Sequence, residues 1–161
     1  MITLSLPSTA EVLLSGVSHS AGADGYFRAR VNGRCRRPLL DDPEAVARYA
    51  AVHHRSPDQQ VLGSLFLDPC CRLITDCEIF RGGLTGAAVD PGPLFRRALK
   101  ASAAWVVVFQ TRSTDPAPTA DDWAFTRRLV EAGKILGIGI ADHVIVASAE
   151  RWISLHRQHP W

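Results

Sequence analysis

Lysine is nearly absent from this 161-residue chain: 16 of its 18 basic residues are arginine, and only Lys100 and Lys134 are lysine. A GC-rich genome produces that bias without any need for guanidinium recognition of phosphate. Excess charge is lacking too. The net charge is +2 and the pI near 8.5, short of the pI above about 9 that marks a generally nucleic-acid-attracting domain. The four cysteines, Cys35, Cys70, Cys71 and Cys77, contain no CxxC pair, which excludes a zinc ribbon or a redox dithiol motif and leaves buried thiols as the expectation. Long apolar runs are missing. The longest, Ala103 to Phe109, is far below the roughly 20 residues that cross a bilayer. The start MITLSLPSTAE has no basic n-region and carries Pro7 and Glu11 where a signal core belongs. A cytoplasmic protein without a membrane partner is therefore expected. No P-loop is present, and GIGIAD follows a helical segment, the wrong context for a dinucleotide fingerprint. What remains is 47% hydrophobic and 21% charged, the composition of one ordinary globular domain rather than of a disordered or repetitive chain.

Residues 1–40 read as an appendage and 41–161 as the domain. In the appendage, ITLSLP alternates, GVSHSAGADG is a small-residue loop, and YFRARV and RCRRPLL flank Asn32-Gly33, the favoured pair of a tight hairpin turn. In alternation Arg28, Arg30, Arg34 and Arg36 share one face, a candidate contact for phosphate or an acidic protein, or simply a charged edge that deters aggregation. The domain opens with Asp42 before Pro43, a capped helix start, and AVARYAAVHH continues at helical spacing. QVLGSLFLD and RLITDCEIF predict an antiparallel pair, PGPLFRRALKASA a helix with Leu94, Ala98 and Leu99 on one face, and AAWVVVFQT a strand buried on both faces. RSTDPAPT is a loop. Thr119 or Asp115 caps a third helix through Leu136, and IADHVIVA and ERWISL are the last strands.

SLFLDPCCRLI, FRGGL, DPGPLFRRALKASAAWVVV, STDPAPTADD and, above all, LVEAGKILGIGIADHVIVASAERWISL resemble the RadC-like branch of the JAB/MPN superfamily over Pro43 to Leu155. The resemblance implies an α/β fold with a mixed sheet flanked by helices, the layered architecture of cytidine-deaminase-like proteins. It also implies, in active members, a zinc hydrolase of peptide or isopeptide bonds. There two histidines and an aspartate of HNHPSGDPxPSxxD hold the metal, a serine assists, and an upstream glutamate is the general base. Such a metal needs three protein ligands and an open position. Carried over from Asp115-Pro116, the histidine positions are occupied by Phe109 and Thr111, the asparagine by Gln110, the proline by Arg112, the serine by Thr119, and Asp122 survives. Alignment through Phe80-Arg81-Gly82 puts Cys77 at the glutamate's place with Glu78 one residue on, on the other face unless a bulge turns it inward. The expectation is a domain that has lost its zinc ligands and has no cofactor, a binding or assembly module. The alternatives are an altered hydrolase using Asp122, Cys77 or Glu78, and a DNA-repair accessory protein.

Other candidates have quieter readings. His53 and His54 close a helix whose dipole suits imidazolium, His143 beside Asp142 reads as a structural hydrogen-bonding residue, and His156 and His159 fall in a frayed tail. Ser113 or Ser148 with Asp142-His143 makes no recognised nucleophile motif. Trp105, Trp123 and Trp152 are expected in the core and Trp161 as an exposed anchor.

Overall fold

The computed structural model describes residues 37–82 and 90–161, together with the backbone of Ser18–Ala21 and Phe27–Arg30. Strands β1 (Ser18–Ala21) and β2 (Phe27–Arg30) pair antiparallel, with Ser18 opposite Arg30 and Ser20 opposite Arg28. GVSHSAGADG thus contributes a strand where a loop was expected, because main-chain pairing needs no apolar alternation to signal it. Arg28 and Arg30 lie two residues apart on β2. The ITLSLP segment, the Asn32-Gly33 turn, Arg34 and Arg36 lie outside the described residues.

The rest is a mixed five-stranded sheet flanked by helices, as expected. Its strands are β3 (Gln60–Leu67), β4 (Leu73–Gly82), β5 (Trp105–Thr111), β6 (Gly139–Val146) and β7 (Trp152–Ser154), in spatial order β4-β3-β5-β6-β7. β3 runs antiparallel to both β4 and β5, β5 parallel to β6, and β6 antiparallel to β7. Helix α1 (Pro43–His53) covers one face. Helices α2 (Gly92–Lys100) and α3 (Ala120–Leu136) cover the other. With a helical layer on each side, the middle strands can be apolar on both faces, and Val106 through Phe109 are entirely buried.

Local chemistry sets the helix ends. Asp42 Oδ1 accepts from the Ala45 N–H at 2.7 Å and Pro43 occupies the first turn, where its missing donor costs nothing. Thr119 caps α3, which ends at Gly137 in the left-handed region with φ of 69°. Gly133 lets α3 lie against the approach to β6, since a Cβ there would sit 2.5 Å from the Ile138 carbonyl oxygen.

Four expectations are revised. Leu99 is 54% exposed, and Phe95 joins Leu94 and Ala98 on the buried face of α2, because residues one and four apart sweep past the narrow stripe that touches the sheet. ERWISL is a strand only over Trp152–Ser154, after which Leu155–Gln158 form helix α4, so His156 is buried rather than frayed. Trp161 is half-buried, with its Nε1 donating to the Ile140 carbonyl at 2.9 Å. Residues 37–40 join the domain: Leu40 is buried and donates from its N–H to Cys71 O, and Leu39 bridges to Arg72.

The C-terminal turn depends on one buried carboxylate. Asp142 accepts from the His143 N–H at 2.7 Å, the Ser154 hydroxyl at 2.6 Å and the His156 N–H at 3.0 Å, joining β6 to β7 and α4. Asp142→Ala strands these donors in a site with no solvent. Urea unfolding of that variant is expected to show a loss of roughly 3 kcal/mol, against almost none for exposed Asp121→Ala.

Candidate functional site

The positions singled out by the sequence lie where β4, β3 and β5 run side by side. Gly63 is paired with Glu78 on one side and with Phe109 on the other. The register between β3 and β4 shifts at this point, from Leu62 opposite Phe80 to Gly63 opposite Glu78. That irregularity decides which side chain of β4 joins the row. Glu78 shares the α1 face with Phe109, whereas Cys77 packs on the α2/α3 face with Leu94 and Phe95. The resemblance set Cys77 in the row with Phe109; the register shift between β3 and β4 instead sets Glu78 there, the outcome that the bulge alternative describes.

Phe109 fills the row. A Cβ on Gly63 would overlap the Phe109 ring and lie 2.8 Å from the Cys77 carbonyl oxygen, so glycine is the residue that allows the ring to cross β3. The ring also stacks on His54, with centroids 4.6 Å apart. His54, the C-cap of α1, is buried and held between two carboxylates of β4: Nε2 meets Asp76 Oδ2 at 2.6 Å and Nδ1 meets Glu78 Oε1 at 3.3 Å. Tyr49 donates to the same Asp76 oxygen at 3.1 Å. Its phenol is pushed up to about 12 by burial and by the Asp76 charge. Arg81 holds Glu78 through Nε at 3.0 Å and Nη2 at 2.5 Å. The hydrogen bonds from Arg81, partly opposed by burial and joined by that of His54, place the Glu78 carboxyl below its ordinary range. The helix-dipole reading of His54 thus gives way to tertiary partners more than 20 residues distant.

At the end of β5 a second network forms. Thr111 is buried, and its Oγ1 accepts from the Val61 N–H at 3.0 Å. One oxygen of Asp122, Oδ2, takes three donors: the Thr119 N–H at 2.6 Å, the Thr119 hydroxyl at 2.7 Å and Arg112 Nη2 at 2.5 Å. Thr119 Oγ1 accepts in turn from the Asp122 N–H, closing a capping box. Arg112 also reaches the Ala117 carbonyl and thereby ties down the STDPAPT loop. Burial works against the Asp122 charge, yet the Thr119 and Arg112 donors outweigh it and hold its pKa below the usual carboxylate value.

These residues do not fit a zinc ion. Phe109 has no donor atom, the Thr111 hydroxyl is engaged by main chain, and a guanidinium already faces Asp122. Among the described residues, no group of three His, Cys, Asp or Glu side chains is placed to hold a metal. Cys77 has Arg97 as a neighbour, and burial, only partly offset by that cation, raises its thiol pKa. The sequence grouped Phe109, Thr111, Thr119 and Asp122 with Cys77, and gave Glu78 a place among them only through a bulge. It did not mark His54, Arg81, Arg112 and Gly63 as members of the arrangement. The signal available for Arg112 was its place where the resembled motif has proline; the partners of His54 had none.

His143 lies beneath α3, wholly buried. Thr126 Oγ1 donates to the Asp122 carbonyl and faces His143 Nδ1, each at 2.7 Å, which leaves Nδ1–H as the donor of the second bond and Nε2 without a described partner. Desolvation pushes the imidazole pKa down to about 4. A folded-state value below the unfolded value of about 6.5 means that the unfolded chain binds the proton first, so stability is full above pH 6.5 and lost as pH falls. Between pH 6.5 and 5 this group contributes a loss of roughly 2 kcal/mol. Denaturant melts of His143→Asn are expected to show a flatter pH dependence across that interval than those of the parent chain.

Comparison with known proteins identifies relatives of the chain. The UPF0758 protein of Clostridium perfringens is 39% identical over 117 residues, covering 72% of this chain and 51% of the relative. That of Syntrophomonas wolfei is 44% identical over 107 residues, covering 66% and 46%, and that of Pelobacter propionicus is 36% identical over 141 residues, covering 84% and 61%. The chain spans about half the length of the curated relatives it matches. The family described as the RadC-like JAB domain matches residues 40–160, the span that holds the mixed sheet, its helices and the Glu78–Gly63–Phe109 row, and this chain belongs to that family.

Proposed function

We propose that this chain is a non-catalytic RadC-like JAB domain, a binding or assembly module rather than a hydrolase. The observation that carries the reading is that the three side chains at the expected ligand positions are engaged internally. Phe109 is packed over Gly63 and against His54, Thr111 is bonded to the Val61 N–H, and Asp122 is ion-paired with Arg112. Arg112 supplies within the chain the positive charge that a metal supplies in an active site, so Asp122 needs no ion to be satisfied. Losing one partner of a metal ligand already costs about 10–100-fold in affinity, and here two ligands are replaced outright.

The altered-hydrolase alternative draws on Glu78, a carboxylate on the correct face. Its oxygens are occupied by Arg81 and His54, which keeps it ionised but turned to fixed donors rather than to a water. Residence in the cytoplasm belongs to the same proposal, as does a protein or nucleic-acid partner for the arginines Arg28, Arg30, Arg34 and Arg36.

Elemental analysis of protein purified without chelator is expected to give far less than one zinc per chain, with no cleavage of peptide or isopeptide substrates. Stoichiometric zinc lost on Asp122→Ala would refute the proposal. The converse experiment restores the ligands. Phe109→His with Thr111→His alone should bind cobalt or zinc weakly, because Arg112 still holds Asp122. Adding Arg112→Pro should raise metal affinity at least about tenfold and give a cobalt spectrum of a low-symmetry site. Cys77→Glu is not needed for this gain. Placed in the α2/α3 core, that carboxylate should instead destabilise the fold by several kcal/mol, about the cost of burying an unpaired charge.

A further inference from the structure

The outer surface of the α2/α3 layer is far more basic than the chain as a whole. β4 and β5 are both antiparallel to β3 and hence parallel to each other, and β5 is parallel to β6. The β4–α2–β5 and β5–α3–β6 connections lie on one face, since both helices feed the same core cluster. The two helices therefore run in the same sense on one face of the sheet, with their C-terminal ends at one end of the layer. Their exposed positions carry six cations, Arg96, Arg97, Lys100, Arg127, Arg128 and Lys134, against two exposed carboxylates, Asp121 and Glu131. None of the six is in an ion pair with a described residue; the ion pairs lie elsewhere, on α1, β4, the turn after β3 and the start of α3. The helix dipole accounts for cations in the last turns, Arg97, Lys100 and Lys134. Arg96, Arg127 and Arg128 lie further upstream and are not explained that way.

Apolar side chains stand among these charges. Leu99, in the last turn of α2, is 54% exposed, and Ile135 and Leu136, in the last turn of α3, are 86% and 43% exposed. A phosphate backbone offers nothing to such residues, whereas an amphipathic helix presents an apolar stripe bordered by charge. We propose that the α2/α3 layer is a docking surface for an acidic amphipathic protein helix. Its apolar stripe meets Leu99, Ile135 and Leu136, and its carboxylates meet the flanking arginines and lysines. The surface lies on the opposite face of the sheet from Phe109 and Glu78. This deepens the binding-module reading and rests on it.

The test uses the full chain and three probes: a synthetic helical peptide with leucine at i, i+3, i+4 and i+7 and glutamate at the other positions, poly-glutamate, and a DNA duplex. Titration calorimetry and amide-shift mapping are expected to show the peptide bound on α2 and α3, with poly-glutamate and the duplex weaker. The exposed changes Leu99→Ser with Ile135→Ser, and separately Arg96→Glu, Lys100→Glu, Arg127→Glu and Lys134→Glu together, should each weaken the peptide at least about tenfold. Circular dichroism of both variants checks that the fold is kept; if the charge reversals unfold the chain, the corresponding alanine changes take their place. No peptide binding, or binding that neither set of changes weakens, overturns the proposal. So does indifference to Leu99→Ser with Ile135→Ser combined with tighter, steeply salt-dependent duplex binding, which would mark a nucleic-acid surface. Zinc content and hydrolysis measured on the same preparation keep the two readings apart: a zinc-free chain that ignores the peptide refutes the docking surface alone, and a zinc-loaded hydrolase refutes the non-catalytic reading.

Discussion

Everything at the candidate site follows from the burial of β5 on both faces. A central strand with helices above and below has no solvent to satisfy its side chains, so each must be apolar or find a partner inside. Phe109 meets that condition by packing and Thr111 by hydrogen bonding to β3. A pair of imidazoles in the same places would need a metal or other partners to meet it. The constraint thus gives Phe109 and Thr111 partners inside the chain.

The neighbouring residues are adjusted to match. Gly63 opens the space that the Phe109 ring crosses, and His54 closes it from α1. Two of the carboxylates at this end of the sheet have a guanidinium each, Arg81 for Glu78 and Arg112 for Asp122. Desolvation opposes the charge of both, and the donors win; buried or half-buried carboxylates are kept ionised this way. Asp122 also caps α3, so the residue has a structural role that requires no metal and accounts for its presence.

The same division of labour recurs at Asp142. It lies one residue from His143, which suggests catalytic chemistry on paper, but its oxygens organise the return of the chain through Ser154 and His156. His143 faces the other side of the sheet, toward Thr126 and Phe125. Alternation along β6 separates the two, so adjacency in sequence becomes opposition in space.

Much of the fold was legible in the sequence, because caps and periodicities are local. Asp42-Pro43, the Thr119 box, the apolar run of β5 and the Gly137 stop each act within a few residues. The apolar character of Phe109 within the run of β5 was legible as well. Tertiary structure alone decided the rest. Whether Cys77 or Glu78 joined Phe109 depended on a one-residue register shift against β3, and a shift of one residue exchanges the faces of a strand without changing its sequence pattern. The pairing of His54 with Asp76 and Glu78, and the partner of Trp161, join residues about 20 positions apart. No local periodicity encodes such contacts, for they exist only once helix and strand have packed.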